Sequence, residues 1–190
     1  MWAQLFDFLQ EVAAEEVTDI QLSRVHPPRY IQYLESVSPT VGTFRVDTDT
    51  AMNSGTLMAA RYSAGAVVRA VDLVMQGKAP NAFCAIRPPG HHAESEKAMG
   101  FCFFNNIAIG AMHAIAEYHV QRVAIVDFDV HHGNGTEEVF KDEPRVMLLS
   151  SFQHPFFPYC GDKPIGTNPN IINVPMKSGT RSAEFRDMVA

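Results

Sequence analysis

Apolar positions along this chain recur with two periods. Where they return every three to four residues they predict helices. Leu57, Ala60, Ala64, Val67, Val71 and Val74 form such a stripe, with Asn53 or Ser54 placed to cap its start and Gly77 to stop it. The same spacing predicts helices over 29–37 and 105–119, a short one near 136–141, and one over 182–190. Trp2, Leu5, Leu9 and Val12 predict an N-terminal amphipathic helix, on which Trp2, Phe6 and Phe8 are aromatics that an incomplete domain leaves uncovered. Short continuous apolar runs predict buried strands over 82–87, 122–130, 145–151 and 170–175. His26-Pro27-Pro28 breaks the chain, and His26 reads as a turn residue. Strands alternating with helices imply an α/β fold, a parallel sheet with covered faces. Ligand sites in such sheets lie beyond the carboxyl ends of the strands. No repeat, low-complexity segment or linker divides residues 1–190, so they read as a single domain.

Polar residues collect at two of those strand ends. The first run is Arg87-Pro88-Pro89-Gly90-His91-His92. Its prolines and glycine stiffen the turn, and a neighbouring pair of histidines suits proton transfer near neutral pH. The second is Asp127-Phe128-Asp129-Val130-His131-His132-Gly133-Asn134-Gly135. Strand alternation predicts Asp127, Asp129 and His131 on one side. Asp129 and His131 then offer one carboxylate and one imidazole to a divalent metal. Asp127 lies one pleat deeper, where a carboxylate orients a histidine. A lone Asp or His more often marks the start of a loop. Five ligand-type residues within eight positions do not read that way.

These runs, with Gly100-Phe101-Cys102-Phe103-Phe104-Asn105-Asn106 between them, resemble the zinc-dependent histone deacetylase family over roughly residues 20–190. That family includes acetylpolyamine amidohydrolases and bacterial deacetylase-like amidohydrolases. Asn134 and the segment Phe152-Gln153-His154-Pro155-Phe156-Phe157-Pro158-Tyr159 are similar to its class II side. The resemblance implies a three-layer arginase/deacetylase-like fold and hydrolysis of acyl-lysine or acetylpolyamine amides. It implies zinc on Asp129 and His131, and His91 and His92 as tandem proton carriers backed by Asp127 and Asn134. Phe101 and Phe157 become tunnel walls, Gly100 a point of close passage, and Asp49 a rim residue that grips the substrate amide. A structural potassium is implied on the carbonyls of Asp129, His131 and Ser151 and the side chains of Asp127 and Ser150.

The family's third zinc ligand and its oxyanion-stabilising tyrosine lie later than Ala190, and its opening strand earlier than Met1. The expectation is therefore a partial domain, incomplete at both ends, with water, Asp162, His154 or a partner chain completing the metal shell. Losing an oxyanion donor costs about 10²–10³ in rate. Weak amidase activity, with activated esters still turned over, is the expected level. Two other readings remain. One is a catalytically impaired half-domain that binds or oligomerises through an exposed sheet edge. The other is a dinuclear arginase-like site, which needs bridging carboxylates where Val130 and His132 stand.

Composition narrows the partners. A net charge of −6 argues against direct nucleic-acid binding and suits cationic substrates. No apolar stretch reaches the ~20 residues of a membrane span, and the start lacks the features of a signal peptide. Cys84, Cys102 and Cys160 show no Cys-x-x-Cys spacing and read as free thiols in a reducing cytoplasm. A homo-oligomer is expected from the uncovered edge.

Overall fold

The computed structural model describes residues 9–163 and 165–189. Helices α1 (Asp19–Leu22) and α2 (Pro28–Val37) lead to a short antiparallel pair, β1 (Phe44–Arg45) and β2 (Ala51–Met52). The long helix α3 (Thr56–Met75) follows, then α4 (Asn106–Tyr118), β3 (Val123–Asp127), α5 (Asn134–Phe140), β4 (Val146–Gln153), β5 (Ile171–Met176) and α6 (Ser182–Val189). Strands β3, β4 and β5 form a parallel sheet in that order. Helix α3 packs along α4, and α4 meets both β3 and α5. The core runs from Leu22, Ile31 and Leu34 through Ala64, Phe104 and Ile109 to Phe140, Val146 and Leu148.

The helical periods of α2, α3 and α4 are realised because each buries one stripe, whereas α6 buries no residue. In α3, Ala60, Ala64 and Val68 are buried, and Val67 sits on Gly110 of α4. The cap differs from expectation. Gly55 occupies the cap position, while the Asn53 side chain accepts from the Gly55 N–H at 2.9 Å and the Thr56 hydroxyl at 3.0 Å. Asn53 thus turns the chain into the helix rather than capping it. Residues 9–12 are not helical, and Leu9 and Val12 are exposed. The expected helix over Trp2, Leu5, Phe6 and Phe8 otherwise lies outside the described residues.

One expected strand is absent. Residues 81–86 form no helix or strand and pair with no strand among the described residues, and Phe83 is 93% exposed. An apolar run becomes a strand only when a ladder partner takes its N–H and C=O groups. The expected strand 122–130 likewise stops at Asp127.

His26 is a core residue, not an exposed turn residue. Its Nδ1 donates to the Ser95 carbonyl at 2.9 Å, and its Nε2 accepts from the Asn105 N–H at 2.9 Å. Those partners require the neutral ring, and burial pushes its pKa down to about 4. The folded pKa lies below the unfolded value of 6.5, so this stability is present above pH 6.5 and is lost as pH falls toward 4. The expected loss across that window is about 3 kcal/mol. Urea melts at pH 7.5 and pH 4.5 check this. His26→Gln should shrink the difference between them by about that amount, and an equal difference in both proteins would sink it.

Candidate active site

The tandem histidines sit where the chain turns after residues 81–86, and the Asp-x-Asp-x-His-His run leaves β3. Asp127 and Asp129 shape that exit by accepting main-chain bonds two residues on. The Asp129 N–H reaches Asp127 Oδ1 at 3.1 Å, and the His131 N–H reaches Asp129 Oδ1 at 2.8 Å. These are successive Asx turns. They, and not a strand pleat, bring Asp127, Asp129 and His131 together.

His91 and His92 have ring centroids 4.0 Å apart and different partners. His91 Nδ1 bonds Asp127 Oδ2 at 2.8 Å. Burial disfavours charge on His91, but the hydrogen bond and charge of Asp127, helped by Asp129, outweigh it and raise its pKa. Asp127 is held below the usual carboxylate range by His91 despite its own burial. His92 Nδ1 bonds Asn134 Oδ1 at 2.9 Å. Burial, then repulsion from His91, push the His92 pKa down to about 4. The two neighbouring rings thus differ in their partners, a carboxylate behind His91 and an amide behind His92.

Glycines bring the two runs into contact. A Cβ on Gly133 would collide with Asp127 Oδ2, and one on Gly100 would collide with the His92 ring. Gly100 also has φ +57°. Asp49 Oδ1 accepts from the Gly100 N–H at 3.3 Å, and the Thr50 hydroxyl accepts from the Phe101 N–H at 3.0 Å. The β1–β2 turn therefore holds the Gly100–Phe101 corner. Phe157 meets His92 edge-on at 5.1 Å, while Phe101 is 58% exposed and makes no ring contact with Phe157.

Asp129 Oδ1 and His131 Nδ1 lie 3.0 Å apart. Two zinc donors at ~2.0–2.1 Å and a tetrahedral angle lie about 3.3 Å apart, so the pair fits one edge of such a site. Catalytic zinc takes three protein ligands. No group of three His, Cys, Asp or Glu side chains able to hold a metal forms among the described residues, so neither Asp162 nor His154 completes the set. In the sheet register Asp127 pairs with Ser150, and Ser150 and Ser151 are both buried. The Ser150 hydroxyl lies 3.4 Å from His132 Nδ1.

Sequence reasoning missed five contacts here. Phe156 stacks on His131 at 5.0 Å with the rings 10° from parallel. His132 is buried against Glu137 at 2.7 Å, and Glu137 also accepts from Asn173. Glu94 and Met99 both touch Asn134. Phe156 stood beside Phe157 in the segment already singled out. Glu137 lies five residues from His132, but the contacts of Glu94, Met99 and Asn173 carried no local signal, because those partners lie 35 to 40 residues away.

Fold and site together give an α/β protein with a tandem histidine pair set beside an Asp–His pair. The chain matches the histone deacetylase domain over residues 2–190. It is 40% identical over 176 residues to the histone deacetylase-like amidohydrolase of Pseudomonas aeruginosa, covering 90% of this chain and 46% of that protein. It is 38% identical over 162 residues to the polyamine deacetylase HDAC10 of Rattus norvegicus, covering 80% of this chain and 28% of that one. The crystal structure of the HDA15 HD domain superposes with a TM-score of 0.83 at 35% identity, covering 88% of this chain and 50% of that chain. The chain therefore spans half or less of these relatives' length. It belongs to the histone deacetylase family, and its fold is of the α/β arginase/deacetylase class.

Proposed function

We propose that this chain carries the acid–base centre of a zinc-dependent amidohydrolase acting on acetyl-lysine or acetylpolyamine-type amides. The observation behind this reading is the tandem histidine pair, His91 bonded to Asp127 at 2.8 Å and His92 to Asn134 at 2.9 Å, beside the Asp129–His131 pair. Asp129 and His131 would hold zinc with a further donor from outside the described residues. Zinc, when bound, supplies Lewis acidity to the acyl carbonyl and to water. His92 Nε2 then takes the proton of the attacking water, and His91 returns one to the leaving amine. Gly100, Phe101 and Phe157 would line the approach, and Asp49 would steady it from the rim. A net charge of −6 favours cationic substrates. Potassium is proposed among the Asp129, His131 and Ser151 carbonyls with the Asp127 and Ser150 side chains. The register pairing Asp127 with Ser150 supports that placement.

Metal analysis tests the first assignment. Asp129→Ala should lower bound zinc by more than the ~10–100-fold in affinity that loss of an outer-shell partner costs. Unchanged zinc content would remove Asp129 from the site.

No helix among the described residues is long and apolar enough to cross a membrane. The free thiols of Cys84, Cys102 and Cys160 support a reducing, cytoplasmic setting. We also propose that the chain self-associates. One edge of β3 has no partner among the described residues, and the nearby Phe128 is 80% exposed. Light scattering at micromolar concentration should show a mass above 21.0 kDa. A clean monomer that melts cooperatively would rule association out.

A further inference from the structure

The base at His92 depends on which way one amide points. Its Nδ1 meets Asn134, and an asparagine offers oxygen on one side and an NH2 on the other. With the oxygen toward His92, Nδ1 must carry the hydrogen and Nε2 is left with its lone pair. With the amide reversed, Nδ1 must accept, the hydrogen moves to Nε2, and His92 can take no proton there. A carboxylate in place of Asn134 would have no such ambiguity. An asparagine needs something else to orient it.

The Asn134 nitrogen faces three groups, and each can only accept in this setting. It lies 2.8 Å from Glu94 Oε1, 3.3 Å from Met99 Sδ and 3.5 Å from the His92 carbonyl. A thioether is a weak acceptor, and the carbonyl contact is at the limit of hydrogen-bond length. The bond to the carboxylate is shorter and charge-assisted, which makes it roughly twice as strong as a neutral one. Glu94 therefore decides the orientation.

Glu94 is itself held in place. It pairs main chain to main chain with Lys97 in a small hairpin, and Glu138 of α5 ties down the neighbouring Ser95 by its N–H at 2.9 Å. Gly133 at the foot of α5 sets Asn134 opposite that hairpin.

We propose that Glu94 is a positioning residue: its carboxylate fixes the Asn134 amide and, through it, the Nδ1–H tautomer of His92. The proposal rests on the reading of His92 as the base, but the tautomer can be observed without turnover. Glu94 makes no hydrogen bond to Asp129 or His131; its side chain bonds Asn134. It acts two hydrogen bonds away from the reacting nitrogen.

The test is nitrogen-15 NMR of histidine-labelled protein at pH 7.5, with and without zinc. Two-bond correlations identify which ring nitrogen of His92 carries the hydrogen. Wild type should show Nδ1–H. E94Q keeps an acceptor oxygen and should keep that tautomer, with kcat within roughly threefold of wild type. E94K replaces the acceptor with a donor, so the amide should reverse and His92 should become Nε2–H. Its kcat on an activated acyl ester should then fall on the order of 10² or more with KM little changed, since a misplaced proton removes general-base catalysis. The buried His26 and His113 signals report whether each variant is folded. Should E94K not fold, E94L removes the acceptor without adding a donor and should show both tautomers. A pure Nδ1–H His92 in folded E94K, or in E94L where E94K does not fold, would overturn the proposal whatever the turnover. A switched tautomer in a protein whose wild type has no hydrolase activity would uphold the amide lock and sink the hydrolase reading instead.

Discussion

His92→Ala should lower kcat on an activated acyl ester by about 10²–10⁴, the usual contribution of a positioned general base. Bound zinc should stay at the wild-type level. The two readouts separate because His92 is held through Nδ1 by Asn134 and packed by Phe157, whereas Asp129 and His131 are the pair that would hold the metal. Asp129→Ala should show the reverse order, with metal lost first and activity following it. Measuring zinc and kcat on both variants gives a two-by-two comparison. If His92→Ala loses zinc and activity in equal proportion, His92 is a ligand and the division of roles made here is wrong.

Helices α2, α3 and α4 and the central strand β4 were legible because each buries a stripe of its own residues. The α3 and α4 patterns, and the runs that became β4 and β5, needed no knowledge of distant neighbours. Residues 81–86 show the opposite case. Their apolar run is as strand-like as that of β3, yet strand formation depends on a partner ladder, and none reaches them among the described residues. The β1–β2 turn was illegible for another reason. Two short strands of two residues each leave almost no period to read, although that turn supplies Asp49 and Thr50.

The site divides in the same way. His91, His92, Asp129 and His131 stood out because their chemistry is crowded into short stretches. The pairing of Asp129 with His131 is a local matter of two Asx turns. The bond from Asn134 to Glu94 spans 40 residues of sequence, and the contact between His92 and Asn134 spans 42. Residue type alone carries no trace of such pairs, and only the family resemblance suggested the second. His26 was misread because a histidine before prolines looks like a turn residue. The structure shows a hub that joins two main-chain segments, through Ser95 and Asn105, in the core.

Gly100→Ala should damage both stability and catalysis. Two costs coincide at this position. The backbone has φ +57°, and a non-glycine residue there costs roughly 1–2 kcal/mol. The added Cβ would also collide with Cβ, Cγ and Cδ2 of His92. Overpacking of that kind adds typically ~1–3 kcal/mol. The expected loss is therefore about 2–5 kcal/mol by urea denaturation. Relief of the clash must move either the His92 ring or the Gly100–Phe101 corner, which Asp49 and Thr50 hold through main-chain bonds. A shift on the order of 1 Å in a reacting group can cost ~10²-fold in rate. Gly42→Ala is the control. Gly42 has φ +77° but nothing within 4 Å of the added carbon. It should show only the backbone cost of about 1–2 kcal/mol and wild-type kcat. Equal destabilisation of the two variants, with kcat unchanged in both, would mean that Gly100 serves the turn alone. Contact between Gly100 and the base would then have no part in holding His92 in place.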